Sequence, residues 1–90
     1  QPDNGAYVDS LGWLYFKKGD INLAIKTLTQ AIGLLKDPVI YEHLGDAWFK
    51  LGNNDTALVN WKKSLELNPD NNEIKKTIEK LEKPSQPSGI

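Results

Sequence analysis

Val8-Asp9-Ser10-Leu11-Gly12-Trp13-Leu14-Tyr15-Phe16 and Tyr41-Glu42-His43-Leu44-Gly45-Asp46-Ala47-Trp48-Phe49 are one segment written twice, 33 residues apart. At that offset Leu11-Gly12 falls on Leu44-Gly45, Phe16-Lys17 on Phe49-Lys50, Gly19 on Gly52, Ala24 on Ala57 and Leu34 on Leu67. Residue classes agree between the identities: Val8 with Tyr41, Asp9 with Glu42, Tyr15 with Trp48, Ile25 with Leu58, Leu28 with Trp61, Ile32 with Leu65. A period in this range marks a repeat architecture, in which each unit covers its neighbour's apolar face.

Each unit predicts two helices. Val8, Leu11, Gly12 and Tyr15 stand at i, i+3, i+4 and i+7, one face of a 3.6-residue helix. Gly19 closes that helix, and Asp20 stands where a side chain caps the next. Ala24, Ile25, Leu28, Ala31, Ile32 and Leu35 form the stripe of the second helix. The second unit repeats the plan with Tyr41, Leu44, Gly45 and Trp48, a break at Gly52-Asn53, then Ala57, Leu58, Trp61, Leu65 and Leu67 before Pro69. Glycine inside a helix costs about 1 kcal/mol relative to alanine. Gly12 and Gly45 lie on the apolar faces, so the expectation is a close helix crossing there, with Ala24 and Ala57 as the matching gaps and Tyr15, Trp48, Leu28 and Trp61 filling the space beside them.

Beyond Pro69, Asp70 or Asn71 is placed to cap a fifth helix carrying Ile74, Ile78 and Leu81, apolar on one side only, as the end of a stack of repeats requires. Residues 84–90 read as a disordered tail, since Pro84, Pro87 and Gly89 forbid a continued helix. At the other end, Gln1-Pro2-Asp3-Asn4 echoes Asn68-Pro69-Asp70-Asn71. That echo predicts an array cut at a repeat boundary, with Val8 and its helix short of upstream cover and therefore self-association or end-to-end stacking. The organisation expected is the end of a preceding repeat or linker at 1–4, repeats at 5–37 and 38–71, a capping helix at 72–83 and a tail at 84–90.

These residues resemble the tetratricopeptide repeat, whose pattern is W-x2-L-G-x2-Y, then A-x3-F, then P. The first unit supplies Val8-x2-Leu11-Gly12-x2-Tyr15 and Ala24-x3-Leu28. The second supplies Tyr41-x2-Leu44-Gly45-x2-Trp48, Ala57-x3-Trp61 and Pro69. Departures are Val8 or Tyr41 at the leading tryptophan, Ser64 at an alanine position, and Pro38 in the connection between units. The resemblance implies an all-α solenoid of two helical hairpins plus the capping helix. The stretches Tyr7 to Trp13 and Asp37 to Asp46 are also similar to the carboxy-terminal repeats of bacterial envelope-associated members, including lipoproteins. That similarity implies a bacterial scaffold in the periplasm or at the outer membrane as part of a longer protein, with the cytoplasm as the other setting.

Composition narrows the chemistry. Ninety residues suit one small domain, with a formal net charge of −1, eleven lysines and no arginine. Nucleic-acid binding normally shows a basic surplus and leans on arginine's fork, so nucleic acid is not expected as a partner. No run approaches the ~18 apolar residues that span a bilayer, so direct membrane insertion is not expected either. With no cysteine there is no disulfide, thiol nucleophile or cysteine metal site.

His43, the one histidine, stacks on Ser10 by repeat register, with Asp46 one helical turn away, which raises a triad. No helix start or glycine-rich turn is placed to stabilise an oxyanion, and side chains on an open solenoid work in water, so no enzyme is expected. Asp9, Glu42, His43 and Asp46 lack a two-histidine metal spacing, and the glycines form no phosphate loop, so neither metal nor cofactor is expected.

What remains is a surface for a protein or peptide. In the family, first helices of successive repeats line a groove. The matching residues are Asp9, Trp13, Phe16 and Lys17 beside Glu42, Asp46, Phe49 and Lys50. Trp13 falls outside the packing stripe and is either a ligand platform or a contact to the neighbouring helix. Asp9, Glu42 and Asp46 read as solvated charges that together favour a basic segment. The carboxylate clamp of chaperone-binding members is not expected: its places hold Asp9, Trp13, His43, Glu73 and Thr77, and Asp9 would repel a carboxylate. Two functions follow from the resemblance: a non-catalytic scaffold holding a partner's peptide or helix in the groove, or an oligomerisation module joined through its ends.

Overall fold

The computed structural model describes residues 3–82. Gln1-Pro2, the last expected residue of the capping helix, Lys83, and the expected tail at 84–90 lie outside them. Five helices follow in order: α1 (Gly5–Lys18), α2 (Ile21–Leu34), α3 (Pro38–Leu51), α4 (Asn54–Leu67) and α5 (Asn72–Glu82). No strand occurs among the described residues. Sequence neighbours pair: α1 lies along α2 and α3 along α4, with α2 against α3 and α4 against α5. The fold is therefore an all-α stack of two hairpins closed by a single helix.

Local signals set the ends. Gly19 (φ 90°) and Gly52 (φ 96°) take the left-handed conformation that lets the last turns of α1 and α3 close on themselves. Asn4, Asp37, Asn53 and Asn71 each accept a backbone N–H with the side chain, from Tyr7, Val39, Thr56 and Ile74 at 2.8 to 3.1 Å. Of the two candidates for α5, the cap is thus Asn71. Asp20 corrects an expectation. It precedes α2, but its side chain makes no capping bond, and the exposed carboxylate stays with water while its carbonyl accepts the Ala24 N–H at 2.8 Å. Pro38 opens α3, where its missing N–H is no loss.

The hairpins interlock through the two interior glycines. A Cβ on Gly12 would sit 2.7 Å from Leu28 Cγ, and one on Gly45 would overlap the Trp61 indole. The crossings are as close as the sequence predicts, but what fills them differs. Leu28 and Trp61 themselves press on the glycines, while Ala24 and Ala57 are wholly buried nearby. Small against large fills the crossing without a void.

Two further corrections concern burial. Val8 is covered: it packs with Ala31 and Ile40 at the junction of α1, α2 and α3. Leu35 has left the helical stripe; it is the extended C-cap of α2, exposed, with Gly5 packed close against it. The uncovered part of α1 is another face, carrying Tyr7 (55% exposed) and Leu14 (56%). Their equivalents 33 residues on are Ile40 and Ala47, which are buried. Because α3 is covered by α2 as well as α4, two of its faces are apolar inward. Thr27 and Ser64 join the core although both are polar, and Ser64 Oγ donates to the Pro38 carbonyl at 2.7 Å, tying α4 to the start of α3.

Candidate interaction groove

One side of the stack is lined by α1, α3 and α5, and six of the eight expected groove residues of α1 and α3 divide into two groups, with the two lysines apart from both. On α1, Asp9, Trp13 and Phe16 are drawn into the junction between the repeats. His43 Nδ1–H donates to Asp9 Oδ1 at 2.8 Å, and both side chains are mostly buried. The Trp13 ring lies parallel on His43 at 4.0 Å between centroids and on Phe16 at 4.6 Å. Trp13 thus serves as a packing contact to the neighbouring repeat, in a stack running Phe16, Trp13, His43. Lys17 and Lys50 extend into solvent.

His43 does not meet the partners a triad would need. Ser10 Oγ donates to the Ala6 carbonyl at 3.1 Å, and Asp46 Oδ1 accepts the Trp61 Nε1–H at 3.1 Å. Among the described residues there is no group of three or more His, Cys, Asp or Glu that would hold a metal ion.

On α3 the second group faces α5. Glu42 and Asp46 line a cleft with Glu73, Lys76 and Thr77, floored by Trp61 and Ile74. One turn further, Phe49, Trp61, Thr77, Lys80 and Leu81 line a smaller, mostly apolar cleft. Phe49 is half exposed, its ring tilted against Trp61 at 5.6 Å, so it lies beside the core rather than in it.

Asp9 and Asp46 are therefore not solvated charges. Burial raises the Asp46 carboxyl from 3.8 to about 6; Glu42 adds to the rise, while the Trp61 hydrogen bond and His43 oppose it. The folded state binds this proton more tightly than the unfolded chain. Its contribution to stability is thus greatest below about pH 4 and declines as pH rises toward 6. Asp46→Asn keeps an acceptor for the indole N–H and removes the charge. In urea titrations the variant is expected to match the parent near pH 4 and to exceed it above pH 6 by on the order of 1 kcal/mol, after allowance for solvent screening at a partly open site. Parallel stability curves from pH 4 to 7 would contradict this account of Asp46.

Family comparison matches this geometry to known repeats. One family model for the tetratricopeptide repeat matches residues 38–71, and a second matches residues 9–36, together more than two thirds of the chain. The chain belongs to the tetratricopeptide repeat family. Among solved structures, the crystal structure of a thermophilic tetratricopeptide repeat (TPR) protein from Thermus thermophilus is similar, with a TM-score of 0.81 at 25% identity over 90% of this chain. The match spans 42% of that protein. No curated protein matches. TPR repeats generally mediate protein–protein interaction, and the family and fold are typically non-catalytic scaffolds. No helix among the described residues is long and apolar enough to cross a membrane.

Sequence reasoning names Asp46, Glu42 and Phe49, and reaches Glu73 and Thr77 through the clamp positions, but misses Trp61, Lys76 and Leu81 as walls of the clefts. The repeat pattern places Trp61 in the core, where it also belongs: 3% of it is exposed. Its indole nitrogen carries the overlooked signal, since a buried Nε1–H needs an acceptor and Asp46 is the groove residue that supplies one.

Proposed function

We propose that this chain is a non-catalytic TPR scaffold that holds a peptide or helix of a partner protein in the groove lined by α1 and α3, across units at 5–37 and 38–71. The observation that carries the reading is Phe49. A half-exposed aromatic ring backed by a buried tryptophan, beside Glu42 and Asp46, offers apolar area at low entropy cost next to charge that fixes orientation. Asp9, Trp13 and Phe16 support it from beneath by joining the two repeats, and Lys17 and Lys50 form its outer rim.

A benzophenone amino acid placed at Phe49 or Lys50, irradiated in native extract, is expected to capture one and the same protein. Placed at the exposed Val59 on α4, it is expected to capture none of it. Capture of that protein from Val59 and not from the groove positions would overturn the proposal.

One observation favours a second reading, assembly through the solenoid end. Tyr7 and Leu14 occupy on α1 the places that Ile40 and Ala47 bury on α3 against the preceding hairpin. Another repeat, or a second copy of the chain, would cover that face in the same way. Sedimentation over a concentration series tests it: assembly that Leu14→Lys abolishes supports the reading, and a monomer at every concentration opposes it.

A further inference from the structure

Repeat symmetry sets two inter-helix spaces side by side on the groove, and they are filled differently. Between α1 and α3, the rings of Trp13, Phe16 and His43 close the space. Between α3 and α5, Asp46 stands at the position equivalent to Trp13, and aligning the starts of α3 and α5 puts the small Thr77 at the position equivalent to His43. No ring stack forms there, and a channel stays open over the Trp61 indole, with Glu42, Asp46 and Glu73 toward one end and Phe49 and Leu81 toward the other.

We propose that this channel is a two-part socket for an extended partner segment in which a lysine or arginine lies about two residues from an aliphatic side chain. It rests on the groove reading above and specifies the partner's chemistry. At the acidic end three carboxylates face one ammonium, Lys76, so the cleft of about 430 Å³ favours a cation. Asp46 spends Oδ1 on the Trp61 indole, and among the described residues its other oxygen makes no hydrogen bond and is not buried, which leaves an acceptor for that cation. The neighbouring cleft, about 120 Å³ and walled by Phe49, Trp61 and Leu81, suits a leucine-sized side chain. The spacing follows from the helix. The centres of the two clefts lie about five residues apart along α3, or ~7.5 Å at 1.5 Å per residue, a length spanned by about two residues of extended chain.

The test is an NMR titration of the 90-residue chain with capped nonapeptides of a glycine–serine background, following the indole N–H signals of Trp13, Trp48 and Trp61. One peptide carries lysine and leucine two residues apart; its controls carry glutamate for the lysine or alanine for the leucine. The lysine–leucine peptide is expected to shift the Trp61 signal and to bind at least about tenfold more tightly than the glutamate control. Glu42→Gln combined with Glu73→Gln should cut that preference several-fold, leaving only what Asp46 supplies, while the fold persists, since neither side chain makes a hydrogen bond among the described residues. Phe49→Ala should instead erase the advantage of leucine over alanine. Equal binding of the glutamate peptide, or shifts at Trp13 with Trp61 unmoved, would overturn the socket and leave the groove reading standing. No shift at any of the three indoles, together with failed capture from Phe49 and Lys50, would overturn both.

Discussion

Gly45→Leu is expected to destabilise the chain by about 3 kcal/mol or more and to lower Tm by at least about 12 °C. The magnitude follows from what the new side chain would meet. Even a single methyl on Gly45 overlaps the Trp61 indole, whose ring is held between Ala57, Ile74 and Ile78 and by its bond to Asp46. A leucine must therefore push α3 and α4 apart or expel the indole from the core. Gly33→Ala is the matched control. Gly33 is also helical but has open space where a Cβ would go, so the substitution should raise stability by about 0.4 to 1 kcal/mol. Equal effects at the two glycines would mean that close approach is not what requires Gly45.

Trp61→Ala is expected to cost about 3 to 5 kcal/mol, the range for removing a large buried aromatic. The loss should be uneven. Trp61 is the largest member of the cluster that holds α5, which touches little besides α4, whereas Leu28, Ala24 and Leu44 form a separate cluster between the hairpins. Amide exchange in α5 should thus accelerate to near the unprotected rate while α2 keeps most of its protection. Uniform loss across all five helices would show instead that the stack unfolds as a single unit.

The offset of 33 residues makes most of this fold legible in the sequence, because identities such as Leu11-Gly12 with Leu44-Gly45 fix both the helix faces and their crossings at once. The glycine contacts are readable for the same reason. Pairing across the groove is not. Register aligns Ser10 with His43, but in space His43 meets Asp9 and Trp13, since adjacent helices are staggered by an amount the period does not state. Ser64 is legible only as a departure from alanine. A hydroxyl in an apolar stripe needs an acceptor, and the one it finds, the Pro38 carbonyl, is 26 residues away in the chain. Burial differences between α1 and α3 also escape periodicity, which assigns one face per helix, whereas a helix with a neighbour on two sides buries both, as Ile40 and Ala47 show against Tyr7 and Leu14.

Groove and end surfaces are separated most directly by hydroxyl-radical footprinting of the chain with the protein captured at Phe49. The groove account predicts that oxidation of Phe49 falls several-fold in the complex, while Tyr7, Leu14 and Val59 react as in the free chain. Protection of Tyr7 and Leu14 with Phe49 unchanged would contradict it and place the interface at the end of the solenoid.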